Sequence, residues 1–147
     1  RRAFKSINLP LIQTFAQEIR SAGMKSIYYY CGDPVGKLDL ILDSGVDAIA
    51  LEESKKGFQI DLDEIAKTVN GRCCLLGNLD AIHLLTKGSE DELKAEIIRQ
   101  IAIGERNKGR FIMSIGSPVT PETTLERVQL YTLLVHQFGN ITALLNQ

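Results

Sequence analysis

Along the chain, stretches in which apolar residues recur every three or four positions alternate with short runs that are apolar throughout. The two patterns predict different elements. In "INLPLIQTFAQEIRSAG", residues 7–23, Ile12, Phe15, Ala16 and Ile19 fall on one face of a helix. "KSIYYY", residues 25–30, is a compact run of bulky and aromatic side chains that suits a buried strand. Further strands are predicted at "DAIAL" (47–51), "CCLL" (73–76) and "FIMSI" (111–115), and further helices near 34–44, 61–69, 89–106 and 123–138. The last helix places Leu125, Val128, Tyr131, Val135 and Phe138 on one face.

The punctuation agrees with this alternation. Asp61 with Glu64, Ser89 with Glu92 and Thr123 with Glu126 have the spacing of a capping box, in which a short side chain satisfies free amides at a helix start and the acid reaches back. Gly23, Gly45 and Gly71 stand where helices should end. Each strand is then followed by a helix able to fold back on it, the βα unit of a parallel sheet. Two α/β architectures use such units: an open doubly wound sheet, or a (β/α)8 barrel, which needs roughly 250 residues. Periodicity leaves both open. In both, ligands meet the carboxyl ends of the strands, where Cys31, Glu52, Asn78, Asp80 and Ser117 would gather.

Composition narrows the function more than the fold. With 147 residues, 44% of them hydrophobic, the chain can bury one core as a single domain. The 17 basic and 18 acidic side chains nearly cancel, so no long-range field favours nucleic acid or an anionic membrane. Three cysteines, two of them adjacent in an apolar run, make no disulfide framework and fit a reducing, cytoplasmic setting. There is no signal-peptide pattern and no apolar run of membrane-spanning length. The first residue is Arg and the pattern enters a helix almost at once, as expected of a piece of a longer protein.

Four collinear motifs carry a family likeness. "CGDP" after the first strand, "SGVDAIALEE", "LLGNLDAIHLL" and "SIGSPVTPETTLERV" resemble, in that order, the carboxyl-terminal half of the uroporphyrinogen decarboxylase family, which includes the cobamide-dependent methyltransferases. Gly77-Asn78-Leu79-Asp80 is the most specific of these elements. The resemblance implies a (β/α)8 barrel of TIM type, with residues 1–147 supplying its carboxyl-terminal half and the amino-terminal half lying outside them.

It also implies a site at the strand ends. In the family's methyltransferases, a His-x-Cys-Gly pattern and a later cysteine hold a zinc ion that activates a thiol acceptor. Here Cys31-Gly32 is kept, but Tyr29 stands at the histidine position and Ser117 at the later cysteine. Neutral hydroxyls are poor zinc ligands, so no metal is expected. The decarboxylase branch carries a histidine where Ser117 stands and a glycine-rich equivalent of Cys31-Gly32. The resemblance therefore favours the methyltransferase branch with an altered zinc site. Porphyrinogen decarboxylation, or a non-catalytic relative that binds a ligand or partner, is the alternative. No cofactor is expected on this segment by itself. The expected partners are a tetrapyrrole or a corrinoid carried on a protein, together with self-association.

The individual residues keep plainer readings beside these. Cys31 is either a small buried hydrophobe or a reactive thiol. Glu52 is a candidate base or orienting acid, while Glu53 is expected to face water. Asn78 and Asp80 either bond their own backbone in a tight turn or contact a ligand. His83, just inside a helix, either faces the mouth of the barrel or serves as a cap or surface residue. Cys73 and Cys74 are expected in the core, and His136 is given no role. The run "EESKKG" offers Lys55 and Lys56 to an anion, or is simply a solvated loop.

Overall fold

Among the residues described, 1–55 and 57–145 with side chains to 139, the computed structural model alternates strands with helices. The strands are β1 (Ile27–Tyr30), β2 (Ala48–Leu51), β3 (Cys74–Leu76) and β4 (Phe111–Ile112). The helices are α1 (Leu9–Ser21), α2 (Leu38–Asp43), α3 (Leu62–Val69), α4 (Glu90–Arg106) and α5 (Leu125–Leu145). A π-helical turn, Phe4–Asn8, runs into α1, and another, Ala81–Thr86, precedes α4.

The helix starts follow local chemistry, with two departures from the predicted caps. Ser89 and Glu92 form the full reciprocal capping box at α4. Asp61 caps α3 through the amides of Asp63 and Glu64, but the Glu64 carboxylate turns to Lys67 instead of reaching back. At α5 the cap is Thr124, one residue later than predicted, because the Thr123 hydroxyl is held by Thr86 and Thr120. Gly23 and Gly45 do follow helix ends with φ near +75°, a conformation glycine adopts without a Cβ penalty, whereas α3 already turns left-handed at Asn70, φ +46°, one residue before Gly71.

All four strands are parallel and pair in the order β1-β2-β3-β4. A doubly wound sheet reverses its direction of growth at a switch point. Right-handed crossovers that always step the same way put every connecting helix on one face. The fold is thus a sector of a parallel α/β barrel, which settles the choice that periodicity left open.

The helix-facing side carries Tyr28, Tyr30, Ile49, Leu51, Leu75 and Phe111, packed with Leu40, Ile41, Leu62, Ile65, Val69 and Ile103. Each fully buried Leu or Ile contributes about 1.5–3 kcal/mol. A second cluster joins Leu79, Leu85, Leu93 and Ile97 to Leu134 of α5. On the other side of the sheet, Ile27 and Tyr29 of β1 and Ile112 of β4 are 58%, 45% and 53% exposed. β1 is therefore not the buried strand its composition suggested. One of its faces is core and the other is the concave face of the sector. Phe15 likewise departs from the predicted core stripe. It is 67% exposed on α1, while Ala16 makes the contact. On α5, Leu125 is exposed and Leu134 takes the buried place. Cys73 is buried, whereas Cys74 is only partly covered on the concave side. Among the described residues, no helix is long and apolar enough to cross a membrane.

Candidate functional site at the strand ends

Because the strands are parallel and in register, their carboxyl ends lie side by side, and the loops that follow them form one rim. The sheet is curled enough to bring the ends of that rim together. The Tyr29 hydroxyl on β1 donates to the Gly116 carbonyl beyond β4 at 2.6 Å. Three flat strand spacings would separate those elements by about 14 Å, too far for one phenol. Burial raises the Tyr29 pKa, as do the nearby Cys31, Glu52 and Glu53, with Lys55 opposing; the phenol stays a donor.

Cys31 follows β1 and is exposed, which removes the buried-hydrophobe reading. The amide of Gly32, the next residue, donates to Glu52 Oε2 at 2.8 Å. Gly32 has φ +102°, a conformation other residues rarely take, so this turn is built around glycine. The other Glu52 oxygen pairs with Lys55 Nζ at 3.1 Å. Held in this way, Glu52 is set to orient the Cys31 turn.

Glu53 is the main correction at the site. Instead of facing water it is 6% exposed, and both its oxygens accept from Ser117 Oγ, at 2.6 and 2.7 Å. Lys55 Nζ lies 3.8 Å from Glu53 and 3.4 Å from Ser117 Oγ. Two carboxylates, one ammonium and one hydroxyl thus tie the loop after β2 to the loops after β1 and β4. The backbones approach closely too. A Cβ on Gly116 would stand 2.2 Å from the Glu53 nitrogen, so only glycine fits there.

Asn78 is buried, and its Nδ2 donates to the Glu52 carbonyl at 3.1 Å, bonding the neighbouring loop instead of its own turn. Asp80 takes the local role. It accepts from the amides of Ile82 and His83 and from His83 Nδ1, capping the π-helical turn. Burial pushes its carboxyl up, but the hydrogen bonds from His83 and Ile82 outweigh that and leave it below the ordinary aspartate range. His83 is mostly exposed beside it, at the side of a crevice shared with Glu53, Ser54 and Lys55. His136 is exposed on α5. Lys56 lies outside the described residues.

The structure therefore brings together Tyr29, Cys31, Glu52, Asn78 and Ser117, and leaves Asp80 and His83 at the margin. The part played by Glu53 and Gly116 was missed from sequence, while Lys55, offered there to an anion or to a solvated loop, lies against Glu52. Parity could have found Glu53, since Ile49, Leu51 and Glu53 alternate onto the helix-facing side. The positions that the resemblance sets against zinc ligands carry a phenol, a hydroxyl and one thiol. The Tyr29 and Ser117 protons are committed to Gly116 and Glu53, and Cys31 is the one sulfur. Among the described residues, no group of three His, Cys, Asp or Glu side chains is arranged to hold a metal ion.

The sequence model of the uroporphyrinogen decarboxylase family matches residues 1–138. No curated protein sequence matches significantly. Among solved structures, a methyltransferase from Methanosarcina mazei is similar with a TM-score of 0.74 at 21% identity, over 93% of this chain and 37% of that one. This chain thus spans little more than a third of that protein's length, and at such identity the likeness is one of fold.

Proposed function

Because the chain belongs to the uroporphyrinogen decarboxylase family, we propose that the whole protein is a tetrapyrrole-linked enzyme of the corrinoid-dependent methyltransferase branch, working without the zinc of its relatives. The observation that supports this most is the exposed Cys31 thiol at the end of β1, its following amide clamped by Glu52. A Cys-Gly pair at this strand end is the methyltransferase pattern, and the decarboxylase histidine is replaced by Ser117.

The corrinoid, carried on its own protein, would supply the methyl group as substrate. The residues of this chain position the acceptor side. Glu52 fixes the turn that presents Cys31, Tyr29 holds the loop after β4 across the mouth, and the Glu53–Ser117 pair closes the rim beside it.

The test uses full-length protein, with methylcobalamin demethylation followed by absorbance and uroporphyrinogen turnover followed in parallel. Cys31→Ala or Glu52→Gln is expected to slow methyl transfer by about tenfold or more, about 1.4 kcal/mol of transition-state stabilisation, with the fold intact. Porphyrinogen turnover without methyl transfer would assign the decarboxylase reading. Turnover of neither substrate would assign a non-catalytic role, and turnover indifferent to both substitutions would remove Cys31 and Glu52 from the chemistry.

A further inference from the structure

The rim of strand ends holds a cation of its own, the Lys55 ammonium. Lys55 is fixed at its backbone by reciprocal hydrogen bonds with Phe58, both 3.0 Å. Its ammonium has three donors. Among the described residues Glu52, at 3.1 Å, is its close partner; Ser117 at 3.4 Å and Glu53 at 3.8 Å are long for hydrogen bonds. Exposure is ordered in the same sense. The Lys55 side chain is 40% exposed, against 17% for Glu52 and 7% for Glu53. A molecule entering the mouth therefore meets the ammonium first, with the two carboxylates behind it.

We propose that Lys55 is an anion-binding residue of this mouth, taking a carboxylate-bearing small substrate and holding it beside Cys31. This rests on the methyltransferase-type reading for the identity of the reaction, but not for the binding itself. An incoming carboxylate replaces the two long contacts with charge-assisted bonds, while Glu52 keeps the ammonium in place. Hydrogen bonding to Glu52, then the charges of both glutamates, raise the Lys55 pKa, so the cation persists at neutral pH. Other charged or titratable groups around Cys31 include Tyr28, Tyr29 and Tyr30 of β1, Glu52 and Glu53 after β2, and, in its own loop, Asp33 with Lys37, whose ammonium donates to the Asp33 carbonyl.

The test compares alkylation of Cys31 by anionic iodoacetate and by neutral iodoacetamide, read by peptide mass. In both reactions the thiolate sulfur displaces iodide from the methylene carbon, so their ratio isolates attraction of the reagent. Lys55→Gln should lower the iodoacetate to iodoacetamide ratio by about threefold or more, and Lys55→Arg should restore it. Added salt should shrink the difference. If Lys55→Gln fails to fold, Lys55→Met, which keeps the apolar stem and removes the charge, carries the same measurement. An unchanged ratio overturns the proposal. A lowered ratio in a full-length protein that turns over no methyl donor supports the anion site and overturns only the reaction assigned to it.

Discussion

Gly116 shows how much of the site depends on a residue with no side chain. Its Cα packs against the Glu52–Glu53 peptide so closely that a methyl group would overlap the Glu53 nitrogen and approach Glu53 Oε2 to 2.4 Å. The same contact lets Ser117 reach the Glu53 carboxylate and lets Tyr29 reach the Gly116 carbonyl. Gly116→Ala must therefore push two loops apart, a change of the overpacking kind that costs about 1–3 kcal/mol. Urea denaturation should show the midpoint falling with little change in slope. A variant as stable as the parent would mean that the loops are looser than this packing requires. Gly77, in the most specific of the sequence motifs, is constrained in the same manner. A Cβ there would stand 2.5 Å from Gln100 Oε1, a buried oxygen that has no hydrogen-bond partner among the described residues. The motif is legible as a string, but the reason for its glycine lies on α4, 23 residues away, and no local pattern contains it.

Among the elements, the strand ends opposite the mouth are fastened by Asp47, the residue before β2. Its carboxylate accepts from the amide and the hydroxyl of Ser26 and from Lys25, all at 3.1 Å, and so ties the start of β1 to the start of β2. The Ser26 backbone hydrogen bond, then Lys25, hold its pKa down at about 2 from an ordinary 3.8. A carboxyl lowered on folding adds stability that is whole above its unfolded value and is lost as pH falls toward the folded one. The parent should therefore lose thermal stability between about pH 4 and pH 2, and Asp47→Ala should be less stable at neutral pH by about 1–2 kcal/mol and flatter across that window. Parallel acid profiles for parent and variant would remove Asp47 from this role. The alternation of strands and helices was readable throughout, because apolar period and capping residues are local signals. Element lengths were not. β4 stops at Ile112 although "FIMSI" reads as a strand to 115, since beyond Ile112 only the single Leu79–Ile115 bridge continues the pairing. Thr124 replaces Thr123 as the cap because Thr86, distant in sequence, claims the Thr123 hydroxyl. Which side of β1 would be open was equally hidden, as three tyrosines read as buried whichever face is covered.

For the whole molecule, the consequence of four strands laid in one direction is a sheet with two edges and one uncovered face. β1 and β4 each pair on one side only among the described residues, and Ile27, Tyr29 and Ile112 lie exposed between those edges. Exposed apolar residues also stand at Ile7 in the first π-helical turn, at Leu11 and Phe15 of α1, and at Leu125 and Leu133 of α5. Unpaired edges together with an apolar face are the usual substrate for association. A twofold axis along the strand direction would set β4 of one copy beside β1 of another with both running the same way, so that eight parallel strands close without reversing any of them. It would also bring two sets of Tyr29, Cys31 and Glu52 to one mouth. Expressed by itself, residues 1–147 should therefore self-associate, with a mass by light scattering of at least two chains that falls on dilution. Lys replacing Ile112 should weaken that association, since it puts a charge on the face to be covered, while the same change at exposed Ile98 of α4 should not. A monodisperse monomer at every concentration would mean that this face and both edges are stable in water without a second copy, and the predicted association would fall.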